Sequence, residues 1–187
     1  MNADDSDRSP LAGLPSRPGR RRCLATLCAT LLGGVGGAVP ARAASDPTRA
    51  DKLVLGAAEW KRRLSPAQYR VLRDEGTEPA GSSPLDREKR RGTFHCAGCD
   101  LPLFSSEMKY DSGTGWPSFF TTLPDAVGTK TDYKAILPRT EYHCARCGGH
   151  QGHVFNDGPR PTGKRYCNNG LALRFVVRGE ALPALRT

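Results

Sequence analysis

The residues best suited to chemistry in this chain are cysteines. Two Cys-x2-Cys pairs, Cys96/Cys99 and Cys144/Cys147, are separated by 44 residues, and each sits in a repeated phrase: His95-Cys96-Ala97-Gly98-Cys99 recurs as His143-Cys144-Ala145-Arg146-Cys147. A Cys-x2-Cys turn presents two thiolates to one cation, and two such turns supply the four soft donors of a tetrahedral zinc site. Four thiolates leave no coordination position open, so the zinc expected here is structural. Disulfides in an exported chain and thioredoxin-like redox pairs are the other readings of the same spacing. A redox pair usually opens a helix after a strand, whereas both copies here fall at turns between strand-like stretches. The spacing therefore predicts structural zinc, with His95 and His143 outside the ligand set.

Of the seven cysteines, Cys23 and Cys28 lie in a leader-like segment and four lie in the knuckles, so Cys167 is left over. An odd cysteine is a candidate reactive thiol. In Arg165-Tyr166-Cys167-Asn168-Asn169, Arg165 falls on the same face of an extended chain as Cys167 and favours the thiolate, the nucleophilic form. Asn169 shares that face and offers hydrogen bonds. The bland alternative is a small buried hydrophobe, which the polar flanks oppose. A second polar cluster, Gly149 to Gly158, holds His150 and His153. His-x2-His can bind a metal, but only Asp157 and Cys167 remain as further ligands, and paired histidines beside a reactive thiol more often transfer protons. A third segment, Asp111 to Phe120, holds Trp116 between Gly and Pro turns. Trp116 is either core or the wall of a pocket for an apolar methyl-bearing group.

The elements that must hold these groups are short. Twenty-one Gly and fifteen Pro in 187 residues imply a turn-rich fold. Over 59–75, Trp60, Leu64, Tyr69 and Leu72 roughly follow a 3.6-residue period, and Ser65-Pro66 reads as a cap with Pro at the first helical position; two short helices are predicted. Residues 76–92 read as a long surface loop. Thr93–His95, Lys134–Leu137, Thr140–His143 and Leu171–Val177 read as strands, the last with Leu171, Leu173, Phe175 and Val177 on one face. The expected fold is mainly antiparallel β with a helical N-terminal flank.

Residues 1–43 read as an address. Arg20, Arg21 and Arg22 precede a Gly-rich apolar run from Cys23 to Val39, and Ala41-Arg42-Ala43 is a small-x-small cleavage signature. This is the pattern of a secretory signal peptide, and the arginines resemble a twin-arginine export signal. Export to a bacterial periplasm is expected, with retention as an uncleaved membrane anchor as the alternative. Residues 44–58 then form a linker, 59–178 the working domain and 179–187 a tail. The leader holds six Arg and three Asp, so its removal lowers the formal charge of +9 by three. Four zinc-bound thiolates lower it further. The remaining basic residues are dispersed apart from Lys61–Arg63 and Arg87–Arg91 and are not interleaved with aromatics, so no nucleic-acid partner is expected.

Taken in order, the Cys96/Cys99 knuckle, Ser112-Gly113-Thr114-Gly115-Trp116-Pro117-Ser118-Phe119, the Cys144/Cys147 knuckle, Gly152-His153-Val154-Phe155 with Asp157-Gly158-Pro159, and Arg165-Tyr166-Cys167 closely resemble the methionine-R-sulfoxide reductase B family. The resemblance runs from about Glu59 to Val177. It implies two antiparallel β-sheets with short N-terminal helices and a structural four-cysteine zinc site (Cys96, Cys99, Cys144 and Cys147) remote from the chemistry. It implies reduction of the R epimer of methionine sulfoxide in peptides and proteins, a repair of oxidative damage, by a chain expected to be a monomer. Cys167 is then the nucleophile, Trp116 walls the pocket around the substrate methyl, and His150 and His153 position or protonate the sulfoxide oxygen. Asn169 and Arg165 tune the thiolate, and Phe155 and Asp157 shape and support the site. The chain departs from the family pattern in three respects. Thr114 stands where many members carry a resolving cysteine, so the expected reductant is an external thiol, a thioredoxin-like protein or a small thiol, with no intramolecular disulfide. Gln151 and Asn168 stand where the family often has apolar residues, and the Glu78–Leu85 loop differs.

Overall fold

Ser65 separates two helices, α1 (Ala57–Arg63) and α2 (Pro66–Leu72). Its hydroxyl accepts a hydrogen bond from the Gln68 amide while the Gln68 side chain accepts one from the Ser65 amide, both 3.2 Å, and Pro66 occupies the first helical position where its missing N–H costs nothing. Of the residues the periodicity predicts, Trp60, Leu64 (at the end of α1) and Leu72 are buried and Tyr69 is half-buried; Val71, which it does not predict, is buried as well. This computed structural model describes Pro47 and residues 49–187. The proposed signal peptide, with Cys23 and Cys28, lies outside the described residues. Among the described residues no helix is long and apolar enough to cross a membrane.

Among the described residues nine strands form two antiparallel sheets. The smaller has the order β2 (Pro102–Ser105), β1 (Gly92–Cys96), β9 (Leu173–Val177). The larger has the order β3 (Lys109–Tyr110), β4 (Ser118–Phe119), β8 (Arg165–Asn168), β7 (His150–Phe155), β6 (Arg139–Cys144), β5 (Val127–Asp132). Aromatic rings join the two. Phe104 from the small sheet stacks on Phe119 from the large one at 4.0 Å, Phe94 meets Phe119 edge-on at 5.0 Å, and Phe104 meets Tyr142 edge-on at 6.3 Å. All four rings are fully buried. Truncating any of these phenylalanines to Ala removes about 3–5 kcal/mol.

This architecture agrees with the expected fold class; two strand assignments need correction. Lys134–Leu137 is not a strand but the turn of the β5–β6 hairpin, and the strand lies before it, at Val127–Asp132. Ile136 and Leu137 have strand-like side chains, but the Asp132 carboxylate accepts from the Lys134 amide at 2.8 Å and closes a turn. Pro138 follows without an amide to donate to a ladder. At the C-terminal end, residues 170–172 form a 3-10 turn and the strand starts only at Leu173. Val176 is buried where Val177 was expected to be, because both faces of β9 meet other parts of the chain. The predicted loop over 76–92 is irregular up to residue 91 except for a short 3-10 turn at Pro84–Arg87, and Gly92 already belongs to β1.

Candidate active site and metal site

The two knuckles fold alike. In each, the amide four residues after the first cysteine returns to that cysteine's carbonyl, Asp100 to Cys96 and Gly148 to Cys144, both at 2.9 Å. The residue after each second cysteine is left-handed, Asp100 at φ +60° and Gly148 at φ +67°, a conformation that Gly adopts freely and Asp tolerates. The two turns bring the four Sγ atoms within 4.8 Å of one another. Cys96 and Cys147 are 3.7 Å apart and Cys99 and Cys144 3.5 Å. Sulfurs at the corners of a tetrahedron with metal–sulfur bonds of 2.3 Å lie about 3.8 Å apart, so the donor set fits a tetrahedral ion. Contacts with the other sulfurs, first Cys144 for Cys96 and Cys147 for Cys144, followed by burial, push both thiols well up. Contacts with the other three sulfurs, first Cys144, push the Cys99 thiol down instead, and a metal cation is the group that a cluster of thiolates binds.

Cys167 sits in a different setting, fixed by strand register. Residues directly opposite in antiparallel strands lie on one face of a sheet. Tyr110 faces Ser118, Ser118 faces Cys167, Cys167 faces His153, and His153 faces Glu141 across β3, β4, β8, β7 and β6. Alternation along β8 turns Arg165 and Cys167 to this face. Tyr166 and Asn168 turn to the other, where the Tyr166 ring meets Tyr142 edge-on at 5.2 Å and the Asn168 amide oxygen accepts from the Tyr142 hydroxyl at 2.6 Å. Gly152 is required for the close approach of β7 to β8, since a Cβ there would lie 1.9 Å from the Cys167 carbonyl oxygen.

Two histidines three residues apart in a regular strand point to opposite faces. Here a bulge in β7 changes the parity, because Tyr142 pairs with Gly152 while His143 pairs with His150. The rings of His150 and His153 therefore come together, 5.5 Å apart and edge-to-face. They are not equivalent. His153 lines the cleft, and its Nε2 lies 2.7 Å from Asp132 Oδ2. That oxygen also accepts from Arg139 at 2.7 Å. His150 is 2% exposed and does not line the cleft; its Nδ1 is 3.0 Å from Glu141 Oε1, off the line of a well-formed hydrogen bond, and Glu141 is itself paired with Lys130 at 3.1 Å. Burial lowers the His153 pKa, and the Asp132 hydrogen bond only partly restores it. Asp132 is held well below the usual carboxylate range by the Lys134 amide and then, against its burial, by His153 and Arg139.

The cleft encloses about 330 Å³ and is lined by Thr114, Trp116, His153, Phe155, Arg165 and Cys167 among others. The Trp116 indole donates to the Glu78 carbonyl at 3.1 Å, which fixes one wall. Arg165 makes a two-pronged pair with Asp157, 2.9 and 2.7 Å, and its guanidinium stacks 4.3 Å from the centre of the Phe155 ring. Arg165 thus reaches Cys167 held on two sides. Its attraction was expected to favour the thiolate, and it does pull the Cys167 pKa down, as do hydrogen bonds from Thr114 and from Arg165 itself. Burial outweighs them, and the thiol stays above its ordinary value.

Asn169 reaches the cleft but spends its amide elsewhere. It accepts from the Glu78 amide at 3.0 Å and donates to the Gln151 carbonyl at 3.0 Å; its backbone is still extended one residue past the end of β8, and it lines the cleft with Cys167. Gln151 and Asn168, both completely buried, belong to the same polar network beneath the cleft. Gln151 donates to Cys96 Sγ at 3.5 Å, and Asn168 donates to Gln151 at 3.4 Å and to the Asn169 carbonyl at 2.8 Å. Glu78 closes the network, its carboxylate accepting from the amides of Gly170 and Leu171.

A SelR domain model matches residues 64–177, more than half of the chain. The chain belongs to the methionine-R-sulfoxide reductase B family. A peptide methionine sulfoxide reductase MsrB of Leptospira interrogans is 52% identical over 118 residues, covering 63% of this chain and 90% of that protein. One from Methanosarcina barkeri is 50% identical over 123 residues, 65% of this chain and 87% of that protein. The chloroplastic peptide methionine sulfoxide reductase B1 of Arabidopsis thaliana is 52% identical over 118 residues, 63% of this chain and 58% of that longer protein.

Within this family framework the fold brings Cys167, His153, Trp116, Phe155 and Arg165 to one cleft with Asn169 at its edge, sets Asp157 behind Arg165, and buries His150 behind His153. Sequence reasoning missed Asp132, Arg139, Glu141 and Glu78. Asp132 lies 21 positions from the histidine it holds, and only the β5–β6–β7 register joins them. Recognising 127–144 as a hairpin would have exposed the signal, since Asp132 then pairs with Arg139.

Proposed function

We propose that the chain reduces the R epimer of methionine sulfoxide in peptides and proteins through a sulfenic acid on Cys167, regenerated by external thiols. The observation that carries this reading is the pairing of Cys167 with His153 across β8 and β7 on a cleft walled by Trp116. Burial raises the thiol and lowers the imidazole, so the resting pair is neutral. When substrate fills the cleft, the Cys167 proton passes to His153, whose imidazolium is stabilised by Asp132. The thiolate attacks the sulfoxide sulfur, and His153 returns the proton to the sulfoxide oxygen as it gains negative charge. The hydroxyl moves from the substrate sulfur to the Cys167 sulfur as the substrate's sulfur–oxygen bond and the transient sulfur–sulfur bond break. The products are the Cys167 sulfenic acid and the thioether, the cysteine sulfur giving up the two electrons that reduce the substrate. One external thiol then forms a mixed disulfide and releases water, and a second restores the Cys167 thiol. Arg165, steadied by Asp157 and Phe155, stabilises the thiolate during attack. Trp116 and Phe155 supply apolar surface for the substrate methyl.

Zinc is the ion the four knuckle cysteines are proposed to hold, and its contribution is structural. Cys96 ends β1 in the small sheet and Cys144 ends β6 in the large one, so a bound ion ties the sheets together. Export of the mature domain to the periplasm, by the leader pattern in residues 1–43, completes the proposal. The chemistry is tested by mixing reduced protein with one equivalent of peptide methionine-R-sulfoxide, without reductant, and adding a sulfenic-acid trap. One methionine per chain and one trapped adduct on Cys167 are expected. An intramolecular disulfide with Cys167, or no methionine, would contradict it.

A further inference from the structure

We propose that the tip of the β5–β6 hairpin, residues 133–138, is a docking arm for the polypeptide that flanks the oxidised methionine; this rests on the reductase reading above. Three of the six large apolar side chains that are well exposed among the described residues stand on this one turn: Tyr133 at 76%, Ile136 at 102% and Leu137 at 76%. They add nothing to the core, and a clustered exposed apolar group marks an interaction site where scattered ones do not.

The tip is continuous with the catalytic cleft through its base. Arg139 lines the cleft, and Asp132, its partner across the hairpin, holds both Arg139 and the catalytic-face His153 at 2.7 Å. Leu137 is two residues up the chain from Arg139, a reach of about 7 Å in extended backbone. A peptide leaving the cleft past Arg139 therefore meets Leu137 and Ile136 within two or three of its own residues. The turn is braced: the Asp132 carboxylate accepts from the Lys134 amide, and Lys130 and Lys134 both pair with Glu75 from the segment after α2. A braced apolar tip can bind without first being ordered. The occupant this favours is an extended, apolar stretch of substrate chain, of the kind exposed when a protein has lost its packing. Free methionine sulfoxide is too small to reach from the cleft to the tip.

The test uses the full chain with Ile136→Ser and Leu137→Ser together, since both side chains are exposed and their loss leaves the core intact. Activity is compared on free methionine-R-sulfoxide and on an unstructured peptide carrying the same sulfoxide between leucines. The expected result is a roughly tenfold fall in kcat/KM on the peptide, through KM, with the free amino acid unchanged. An equal fall on both substrates, or no fall on the peptide, would overturn the proposal. So would a change in sedimentation from dimer to monomer, which would assign the tip to a second copy of the chain. Binding of the fluorescein-labelled peptide to the Cys167→Ser protein, followed by anisotropy, gives a readout that needs no turnover. The double substitution should weaken it about tenfold, and unchanged binding would overturn the docking arm. Absence of turnover by the wild-type chain would count against the reductase reading alone.

Discussion

The knuckle cysteines and Cys167 are the same residue type in opposite surroundings. Cys96, Cys99, Cys144 and Cys147 are 0–6% exposed, and their sulfurs face one another. Cys167 is half-buried, faces a cleft, and has a hydroxyl, a guanidinium and an imidazole around it instead of other thiols. Four buried sulfurs that face one another form a donor set for a cation and are closed to substrate. In the proposed reaction, the one thiol beside an imidazole ionises when substrate arrives, by moving its proton a single step. The histidines repeat the contrast. His150 is sealed against Glu141, whereas His153 is held by Asp132 at the cleft wall. In this fold, access and neighbours assign the chemistry.

The comparison is broken most violently at the metal. Cys144→Ser removes one of four donors, and structural zinc sites contribute on the order of 10 kcal/mol, as much as a whole domain's stability. The expected protein has no stoichiometric zinc and no native far-UV spectrum. A folded, metal-free variant would show that the knuckles do not hold the sheets. Next comes Cys167→Ser, which should lower activity by about 10³-fold or more while leaving the zinc content and the melting temperature as they were. Loss of zinc in that variant would erase the separation between the two sites.

Smaller effects sharpen the account of Cys167. Asp132→Asn keeps an acceptor for His153 but removes the charge, and a fall in kcat of about 10–100-fold is expected, with little change in KM for free methionine sulfoxide. Because the proton that His153 delivers to the sulfoxide oxygen comes from the Cys167 thiol, which burial holds above its ordinary value, kcat/KM should fall on the alkaline side only as that thiol titrates. Arg165→Met removes the main opposing attraction, so the thiol pKa moves further up and the alkaline limb shifts to higher pH. An unshifted limb would mean that Arg165 only shapes the cleft. The smallest effect is on the surface. Lys130, with Lys134, holds the Glu75 carboxyl at about 2, below its value of 4.5 in the unfolded chain. A depressed carboxylate stabilises the fold above the unfolded pKa and loses that contribution as pH falls from about 4.5 through about 2. Lys134→Met, which removes one cation from Glu75 and leaves the Lys130–Glu141 pair intact, should therefore cost little stability near neutral pH, given the solvent exposure of the pair. It should also flatten the acid limb of a stability profile recorded by urea unfolding.

What was legible in the sequence was what short-range chemistry encodes. The Cys-x2-Cys repeats and the Ser65-Pro66 cap with Gln68 need only a few neighbouring residues, and their structure follows directly. The parity of the two histidines was not legible, because a bulge is a property of pairing between β6 and β7 and leaves no mark in His-x2-His itself. Asp132 was hidden for a related reason: reading Lys134–Leu137 as a strand concealed the hairpin that carries Asp132 to His153. Gln151 and Asn168 looked like polar intruders in an apolar pocket. They turned out to satisfy each other, Tyr142 and a knuckle sulfur beneath it. Composition cannot tell a buried polar network from a misplaced polar side chain, since only the partners distinguish them.

The most direct test of the central claim is to give the full-length protein, folded and zinc-replete, the separated R and S epimers of a peptide methionine sulfoxide with dithiothreitol, and to follow methionine by chromatography. The account predicts that the R epimer alone is consumed. Turnover of the S epimer, or of neither, would contradict the assignment of Cys167 and His153 as its reductive pair.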